Sequence, residues 1–225
     1  GGAAASTTSA SEEASSDEAI TPGHIAREMF RVLRGSNNLV FPNSRREVER
    51  YTHLLNELCE AEQVPKAFWA HHGSLSKEIR ADTEAALKLG DQPATAICTN
   101  TLELGIDIGA VKSVVQIGCP PSVASLRQRL GRSGRRKGEP AILRGYSTEH
   151  AIGSQSSLET MLRLRTVQST AMVTLLLDGW FEPPAAKGLH LSTFVQQLLS
   201  TIAQNGGIHA ARAYEILCRT PGAPF

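Results

Sequence analysis

The chain has 225 residues, with 23 Lys or Arg against 22 Asp or Glu, so its formal net charge is +1 at pH 7. A hydrophobic share of 41% is sufficient for a packed core, and the length accommodates one complete domain and part of another. No apolar run approaches the ~20 residues that span a bilayer, and the first residues lack the features of a signal peptide. We therefore expect a cytoplasmic protein without a membrane partner.

Residues 1–20 are small, polar and acidic, and they predict a disordered tail or linker. From Thr21 onward, short apolar runs alternate with segments of helical periodicity. The predicted strands are Leu39–Phe41, Ala67–Ala70, Thr95–Thr99, Val111–Ile117 and Ala141–Leu143. Helices are predicted after Thr21, after Asn43 or Ser44, over Ser76–Leu89 and over Ser122–Arg132. This alternation predicts an α/β fold with a parallel sheet flanked by helices, where ligands bind at the carboxyl ends of the strands.

After about Tyr146 the pattern changes to helices alone. A long amphipathic helix is predicted over Leu158–Leu177, followed by a helix that Ser192 caps and another that begins over Ala210–Leu217. The last two resemble a helix-turn-helix, which we interpret as the start of a winged-helix domain; two packed helices without a nucleic-acid role are the alternative. The predicted domains are a tail over 1–20, an α/β lobe over 21–150, and a connecting helix with a partial winged helix over 151–225.

A basic segment lies between two of the predicted strands, with the sequence Gln128-Arg129-Leu130-Gly131-Arg132-Ser133-Gly134-Arg135. The planar guanidinium of arginine stays charged and can bind two oxygens of one anion. Gly131 and Gly134 predict that another surface approaches the backbone closely. The segment therefore predicts phosphate binding. The alternative, a solvated basic face of a surface helix, fits the interleaved glycines poorly.

This segment resembles the sixth motif of superfamily 2 helicases. Three upstream segments resemble the fourth motif, the block after it and the fifth motif of the second RecA-like helicase lobe: Asn38–Arg45, His71–Ser76 and Thr99–Asp107. Together with Ser122–Arg127 and Trp180–Pro184, they most resemble the Lhr (large helicase-related) family. The resemblance extends from about residue 20 to the last residue, and it implies a RecA-like C-terminal motor lobe.

The resemblance implies an ATP-dependent 3′-to-5′ helicase, an ATP hydrolase, that translocates on single-stranded DNA and takes part in DNA repair. No Gly-x-x-x-x-Gly-Lys-Ser/Thr phosphate loop occurs in the sequence, so we interpret the chain as a fragment that is inactive alone. ATP and Mg²⁺ would be held mainly by the first RecA-like lobe of the same parent chain. The expected nucleic-acid partner is single-stranded DNA or a DNA-containing duplex, including an RNA:DNA hybrid.

The resemblance also assigns residues to the nucleotide. Arg132 and Arg135 would be arginine fingers at the γ-phosphate, and Gln128 would lie at the same junction between the two lobes. The remaining nucleotide-facing assignments are Gly105, Asp107 and Arg129. Arg129 would also link this motif to neighbouring motifs, and an alternative for Asp107 is a cap of its own loop backbone.

Seven residues at strand ends match backbone-contacting positions of the family: Asn43, Ser44, Arg45, Gly73, Ser74, Thr99 and Thr101. Short hydroxyl and amide side chains and glycines can bind phosphate oxygens without reading sequence. Each residue alone is weak evidence, because Ser, Thr and Asn commonly form turns and caps. Two alternatives therefore remain open: the lobe of a superfamily 2 RNA helicase, and a non-catalytic nucleic-acid-binding module.

Metal and redox chemistry have little support in the sequence. The chain has four widely spaced cysteines, Cys59, Cys98, Cys119 and Cys218, which form no Cys-x-x-Cys pair. We expect them to be reduced thiols. His71 and His72 are adjacent, but no third ligand lies at a useful spacing, so we expect no metal site.

Overall fold

The computed structural model describes residues 21–89, 91–103, 106–136, 138–183 and 190–219. The tail that is predicted over 1–20 lies outside these residues. The chain divides into two compact units, the first ending at Phe181 and the second beginning at Glu182. The first unit thus includes residues 151–181, which the sequence assigned to the following domain. The division at residue 150 stays a prediction about function.

The first unit contains a sheet of five parallel strands in the order β2-β3-β1-β4-β5. The strands are β1 Asn38–Phe41, β2 Phe68–His71, β3 Thr95–Cys98, β4 Ser113–Ile117 and β5 Ile142–Tyr146. β1 lies at the centre, where Val40 pairs with Ile97 of β3 and Val115 of β4. The predicted α/β fold with a parallel sheet is confirmed.

Six helices accompany the sheet within the described residues: α1 Pro22–Leu33, α2 Arg45–Ala61, α3 Lys77–Leu89, α4 Val123–Leu130, α5 Leu158–Met161 and α6 Leu164–Leu177. Serine side chains cap several of these helices. The Ser44 hydroxyl accepts from the Glu47 amide at the start of α2, and the Ser122 hydroxyl accepts from the Ser125 amide at the start of α4. None of the described helices combines the length and apolarity needed to cross a membrane.

Hydrophobic cores lie on both faces of the sheet, as the near-continuous apolar strands predict. On one face, Val40 packs with buried side chains of α1 and α2 that include Met29 and Tyr51. On the other face, Leu39 and Phe41 pack with a second cluster. Successive residues of β1 thus serve opposite cores, because side chains alternate along a strand. This burial fixes the strand ends, where the polar side chains of the site emerge.

The long helix that the sequence predicts over Leu158–Leu177 is not continuous. It breaks into α5 and α6 at Arg163, which has a left-handed backbone with φ 49°. The Glu149 carboxylate accepts a 2.7 Å hydrogen bond from the Thr166 amide in the first turn of α6. That hydrogen bond lowers the pKa of the Glu149 carboxyl. A side chain distant in sequence thus satisfies a helix start that periodicity does not reveal.

The second unit contains α7 Leu191–Asn205 and α8 Ala210–Cys218. The predicted cap at Ser192 is wrong, because the His190 carbonyl already accepts from the Phe194 amide and Ser192 lies inside the helix. Gly206, with φ 65°, ends α7 in the left-handed conformation. The two helices and their Gly-containing turn agree with the predicted helical region, while the winged helix stays a prediction.

Candidate nucleic-acid and nucleotide-facing site

A depression of about 380 Å³ lies at the carboxyl ends of β1, β2 and β3. We call it the strand-end groove. It is lined by Asn100 and by every predicted nucleic-acid residue except Ser74: Asn43, Ser44, Arg45, Gly73, Thr99 and Thr101. Ser74 lies beside it, since its hydroxyl accepts a 2.6 Å hydrogen bond from the Arg45 guanidinium. The parallel sheet thus gathers three separate sequence segments into one polar surface.

The polar groups of the strand-end groove differ in how far the fold already uses them. The Ser44 hydroxyl caps α2, and the Thr101 hydroxyl donates to the His71 carbonyl at 3.1 Å. Within the described parts of the chain, the Thr99 hydroxyl and the Asn100 carboxamide make no hydrogen bond. Thr99 and Asn100 therefore offer groups to a ligand, whereas Ser44 and Thr101 shape the groove.

Two adjacent buried histidines lie at the end of β2, and His71 contacts the strand-end groove through Thr101. His71 is buried, with Nδ1 2.7 Å from the Thr101 hydroxyl and Nε2 3.0 Å from the Glu84 carboxylate. His72 is also buried, with Nε2 2.6 Å from the Glu49 carboxylate. Across the described ranges, neither ring belongs to a cluster of three or more potential metal ligands. That His71 supports Thr101 was not predicted from the sequence, although its position at the end of a strand is a usable signal.

Asn43 joins the end of β1 to the loop after β4. Its Nδ2 donates to the Cys119 carbonyl at 2.8 Å, and its Oδ1 accepts from Gln116 Nε2 at 3.3 Å. Gly118 keeps this contact close: it has φ 73°, and a Cβ there would lie 2.9 Å from Asn43 Nδ2. Asn43 is predicted to contact nucleic acid, and in the fold it also positions the neighbouring loop.

Arg129 is buried at the centre of the site, with 4% of its surface exposed. Its Nε donates to the Glu103 carboxylate at 3.0 Å and another guanidinium nitrogen donates to Gln116 Oε1 at 2.6 Å. Its guanidinium also lies 4.7 Å from the centre of the Phe41 ring. Arg129 therefore ties α4 to β1, to β4 and to the loop after β3. Its assignment to the nucleotide stays a prediction.

The two predicted arginine fingers have different surroundings. Arg132 is 7% exposed, and its guanidinium donates to the carbonyls of Glu103 and Ile106 at 2.9–3.1 Å. Burial, and then the nearby charge of Arg135, lower the pKa of Arg132. Arg135 is exposed, and its Nε donates to the Gly131 carbonyl at 3.1 Å. The structure thus separates a buried arginine that holds a loop from an exposed one that can reach a ligand.

The remaining predicted nucleotide-facing residues lie near this segment. Gln128 is exposed on α4. Asp107 is exposed, and hydrogen bonds from the Lys88 ammonium at 2.7 Å and the Gly109 amide at 3.3 Å lower the pKa of its carboxyl. The second bond is the backbone cap that the sequence left open as an alternative. Gly105 lies outside the described residues.

Gly134 lies against the chain's own backbone, at the entry to β5. It has φ 68°, and a Cβ there would lie 2.5 Å from the Ala141 nitrogen and 2.9 Å from the Pro140 carbonyl carbon. The sequence predicted a close approach of another surface, and the structure shows that this surface is internal. The glycine spacing of the basic segment therefore has a structural cause as well as the predicted functional one.

We expect Gly134→Ala to destabilise the fold strongly, because backbone atoms of Pro140 and Ala141 already occupy the space that the new methyl group needs. Gly35→Ala is a matched control: Gly35 has φ 83°, but a Cβ there would meet nothing within 4 Å. The control is expected to cost about 1–2 kcal/mol for its left-handed backbone. Gly134→Ala is expected to cost about 1–3 kcal/mol more, as overpacked substitutions do. Urea denaturation followed by circular dichroism measures both, and equal losses would contradict the steric argument.

Comparison with known proteins agrees with the geometry. Residues 23–137 match the family model described as the helicase conserved C-terminal domain. The Lhr helicase/probable uracil glycosylase of Mycolicibacterium smegmatis is 41% identical over 196 residues, which cover 65% of this chain and 13% of that protein. The Lhr helicase/uracil glycosylase of Escherichia coli is 38% identical over 196 residues, which cover 67% of this chain and 13% of that protein.

A solved structure also resembles the fold. The Mycobacterium smegmatis helicase Lhr, bound to ssDNA and AMP-PNP, superimposes with a TM-score of 0.69 at 30% identity. The match covers 90% of this chain and 24% of that one, so the chain spans a minor part of the relatives it resembles. The family match, the Lhr relatives and the parallel sheet agree with one another. The chain belongs to the helicase conserved C-terminal domain family, as the C-terminal motor lobe of an Lhr-type superfamily 2 helicase.

Proposed function

We propose that this lobe is the second motor half of an ATP-dependent 3′-to-5′ helicase that translocates on single-stranded DNA. The observation that carries the proposal is the strand-end groove, where hydroxyl, amide and guanidinium groups converge from three strand ends. Such groups bind phosphate oxygens irrespective of sequence, which translocation requires. The relative with the similar structure was solved with ssDNA, which supports the same class of partner. A DNA-containing duplex, including an RNA:DNA hybrid, would be unwound from this single strand.

The nucleotide lies, in this proposal, on the side of the basic segment. The first RecA-like lobe of the parent chain would hold ATP and Mg²⁺, because this sequence lacks a phosphate loop. Exposed Arg135 suits a γ-phosphate contact, since only its Nε is bonded within the described residues. Arg132 and Gln128 would complete the γ-phosphate contact at the same junction between the two lobes. The relative solved with AMP-PNP supports a nucleotide at such a lobe.

One short segment connects these two surfaces. Thr99 and Thr101 line the strand-end groove, and the 3₁₀ helix Asn100–Leu102 leads directly to Glu103. Glu103 in turn accepts from Arg129 through its carboxylate and from Arg132 through its carbonyl. A shift of the groove wall would therefore act on the loop that Arg132 holds. This continuity supports coupling between nucleic-acid binding and ATP hydrolysis.

The wider role is inferred from the relatives. Two of them carry names that join helicase and uracil glycosylase, which supports DNA repair as the role of the parent protein. We place that parent in the cytoplasm, and we propose that α7 and α8 begin its winged helix.

Removing neutral hydroxyl groups from the strand-end groove or from beside it should weaken the response to DNA. In the parent helicase, we expect Thr99→Ala and Ser74→Ala each to raise the DNA concentration for half-maximal ATPase roughly 2- to 10-fold, since one hydrogen bond is worth about 0.5–1.5 kcal/mol. Unwinding should fall more than hydrolysis, and binding should weaken with added salt. Ser36→Ala, at the amino ends of the strands, is the control. Wild-type stimulation in both the Thr99 and the Ser74 variant would count against the proposed track, and equal stimulation by RNA would favour an RNA helicase.

The 225-residue chain by itself should show no ATP hydrolysis above background, with or without DNA. The reason is the missing phosphate loop, without which the lobe has no backbone cradle or lysine for the ATP phosphates. A coupled phosphate-release assay on pure protein measures this, with a cooperative thermal transition as the check that the chain is folded. ATP hydrolysis that copurifies with the folded chain would contradict the proposal that the first lobe holds ATP.

A further inference from the structure

A second depression adjoins the strand-end groove at the carboxyl ends of β1, β3 and β4. It has a volume of about 490 Å³. We call it the proline pocket, because Pro42 and Pro121 line it. The other lining residues include Asn43, Thr99, Asn100 and Cys119. Asn43, Thr99 and Asn100 line both depressions, so the two form one continuous track. The motifs that predict nucleic-acid contacts do not account for Cys119 or Pro121.

The proline pocket differs from the strand-end groove in its chemistry. Besides the three residues that line both depressions, the pocket has two proline rings and a thiol from Pro42, Pro121 and Cys119, where the groove has Ser44, Arg45 and Thr101. Arg129 also lines the pocket, but its guanidinium is already bonded to Glu103 and Gln116. An apolar wall with its charge neutralised suits the flat face of a nucleobase better than it suits a phosphate. The volume lies in the range of small-ligand pockets.

The walls of the proline pocket are held in place before any ligand arrives. The Cys119 carbonyl accepts from Asn43 Nδ2 at 2.8 Å, and the Gly118 carbonyl accepts from Gln116 Nε2 at 3.2 Å. Pro120 and Pro121 fix the backbone that follows. The exposed Asn100 carboxamide, which is unbonded within the described residues, lies where the two depressions meet. Such preorganisation lowers the entropy cost of binding.

We propose that the proline pocket seats one unpaired nucleobase, with its sugar, of the strand whose phosphates lie in the strand-end groove. The inference rests on the proposed function, because it requires a strand in that groove. Contact through the face of the base is independent of sequence, since every base has such a face. It also requires a base that is free of its partner. The pocket would therefore make this lobe select single-stranded over paired nucleic acid at one nucleotide step.

The Cys119 thiol can be used as a chemical probe of the proline pocket. Cys119 is half-buried in the proline pocket, Cys59 and Cys98 are buried, and Cys218 is half-buried on α8. Because burial raises the pKa of the Cys119 thiol, alkylation by iodoacetamide is best followed at mildly alkaline pH. The 225-residue chain is labelled alone, with saturating oligo(dT), and with an abasic strand of equal length, and each cysteine is quantified by peptide mass spectrometry.

We expect oligo(dT) to slow alkylation of Cys119 roughly tenfold, because a base that is mostly enclosed by the pocket walls would hinder access of iodoacetamide to the thiol. The abasic strand should protect much less, and Cys218 should label equally in all samples. Two results would overturn the proposal that a base binds in the proline pocket and leave the proposed function intact. One is equal protection of Cys119 by both strands. The other is no protection while fluorescence anisotropy shows that oligo(dT) is bound. Failure of any strand to bind would overturn both.

A pair of proline variants tests the wall itself. Pro121→Ala removes a ring from the pocket, and Pro93→Ala removes an exposed ring before β3, at the opposite edge of the sheet. Wild-type chain should bind oligo(dT) roughly tenfold more tightly than the abasic strand, as a stacked base allows. Pro121→Ala should lose most of this preference and Pro93→Ala should keep it, with thermal melts confirming both folds. A full preference in a folded Pro121→Ala chain would overturn the inference.

Discussion

Arg135→Ala in the parent helicase is expected to lower kcat for ATP hydrolysis by about 10³-fold or more, the scale of an arginine finger in phosphoryl transfer. Its thermal stability should not change, because Arg135 is exposed and its Nε bonds only the Gly131 carbonyl. Binding of single-stranded DNA should also be retained. Steady-state ATPase, a thermal melt and fluorescence anisotropy measure the three properties.

Two further arginines make this test specific. Arg136→Ala removes a neighbouring exposed guanidinium that pairs with Glu139, and it should leave kcat close to wild type. Arg132→Ala should lower both kcat and the melting temperature, since Arg132 donates to two loop carbonyls from a buried position. If Arg135→Ala instead lost DNA binding in proportion to ATPase, the basic segment would be a DNA-binding patch and not a nucleotide contact.

Arg129→Met is expected to destabilise the lobe by about 3–5 kcal/mol, because it leaves the Glu103 carboxylate buried without its partner. The side chains of Arg129 and Glu103 are only 5% and 10% exposed, so water cannot replace the lost guanidinium. Adding Glu103→Leu to Arg129→Met should recover part of the loss, since an apolar pair carries no unpaired charge. Urea denaturation of the 225-residue chain measures each variant.

The matched control breaks an exposed ion pair of the same type. Arg31 bonds Glu28 on the surface of α1, with 73% and 43% of the two side chains exposed. Arg31→Met should change stability little, because exposed pairs contribute little. Arg129→Lys should remain well below wild type, since a lysine cannot reproduce the planar fork that bonds Glu103 and Gln116 together. A loss for Arg129→Met no larger than for Arg31→Met would contradict the central role of this pair.

Much of the fold follows from local sequence. Short apolar runs such as Leu39–Phe41 predict buried strands, and the helical periodicity of Val48, Tyr51 and Leu55 predicts the buried face of α2. Alternation of the two patterns favours a parallel sheet, because a helix between two strands provides the crossover connection that parallel strands need. Since the carboxyl ends of parallel strands share one edge, the order of the motifs also predicted that Asn43, Gly73 and Thr99 would meet there.

The local failures have equally local reasons. Leu158–Leu177 has one helical period, but Arg163 breaks it where Glu149 supplies the cap for a new helix start. The order of apolar residues along the chain contains no information about this carboxylate. The cap at Ser192 failed by two positions, because helix boundaries depend on which carbonyl accepts the first hydrogen bond.

Sequence by itself therefore determined the α/β class, the family and the set of side chains that meet at the strand ends. Only the tertiary structure decided what each does there. Arg132 and Arg135 are equivalent positions in the motif. In the structure, Arg132 is buried against the Glu103 carbonyl and Arg135 is exposed. No role was predicted for Glu103 within its motif, and it joins the groove to both buried arginines. Burial and pairing depend on which distant segments the sheet brings within a few ångströms, and no local pattern encodes those distances.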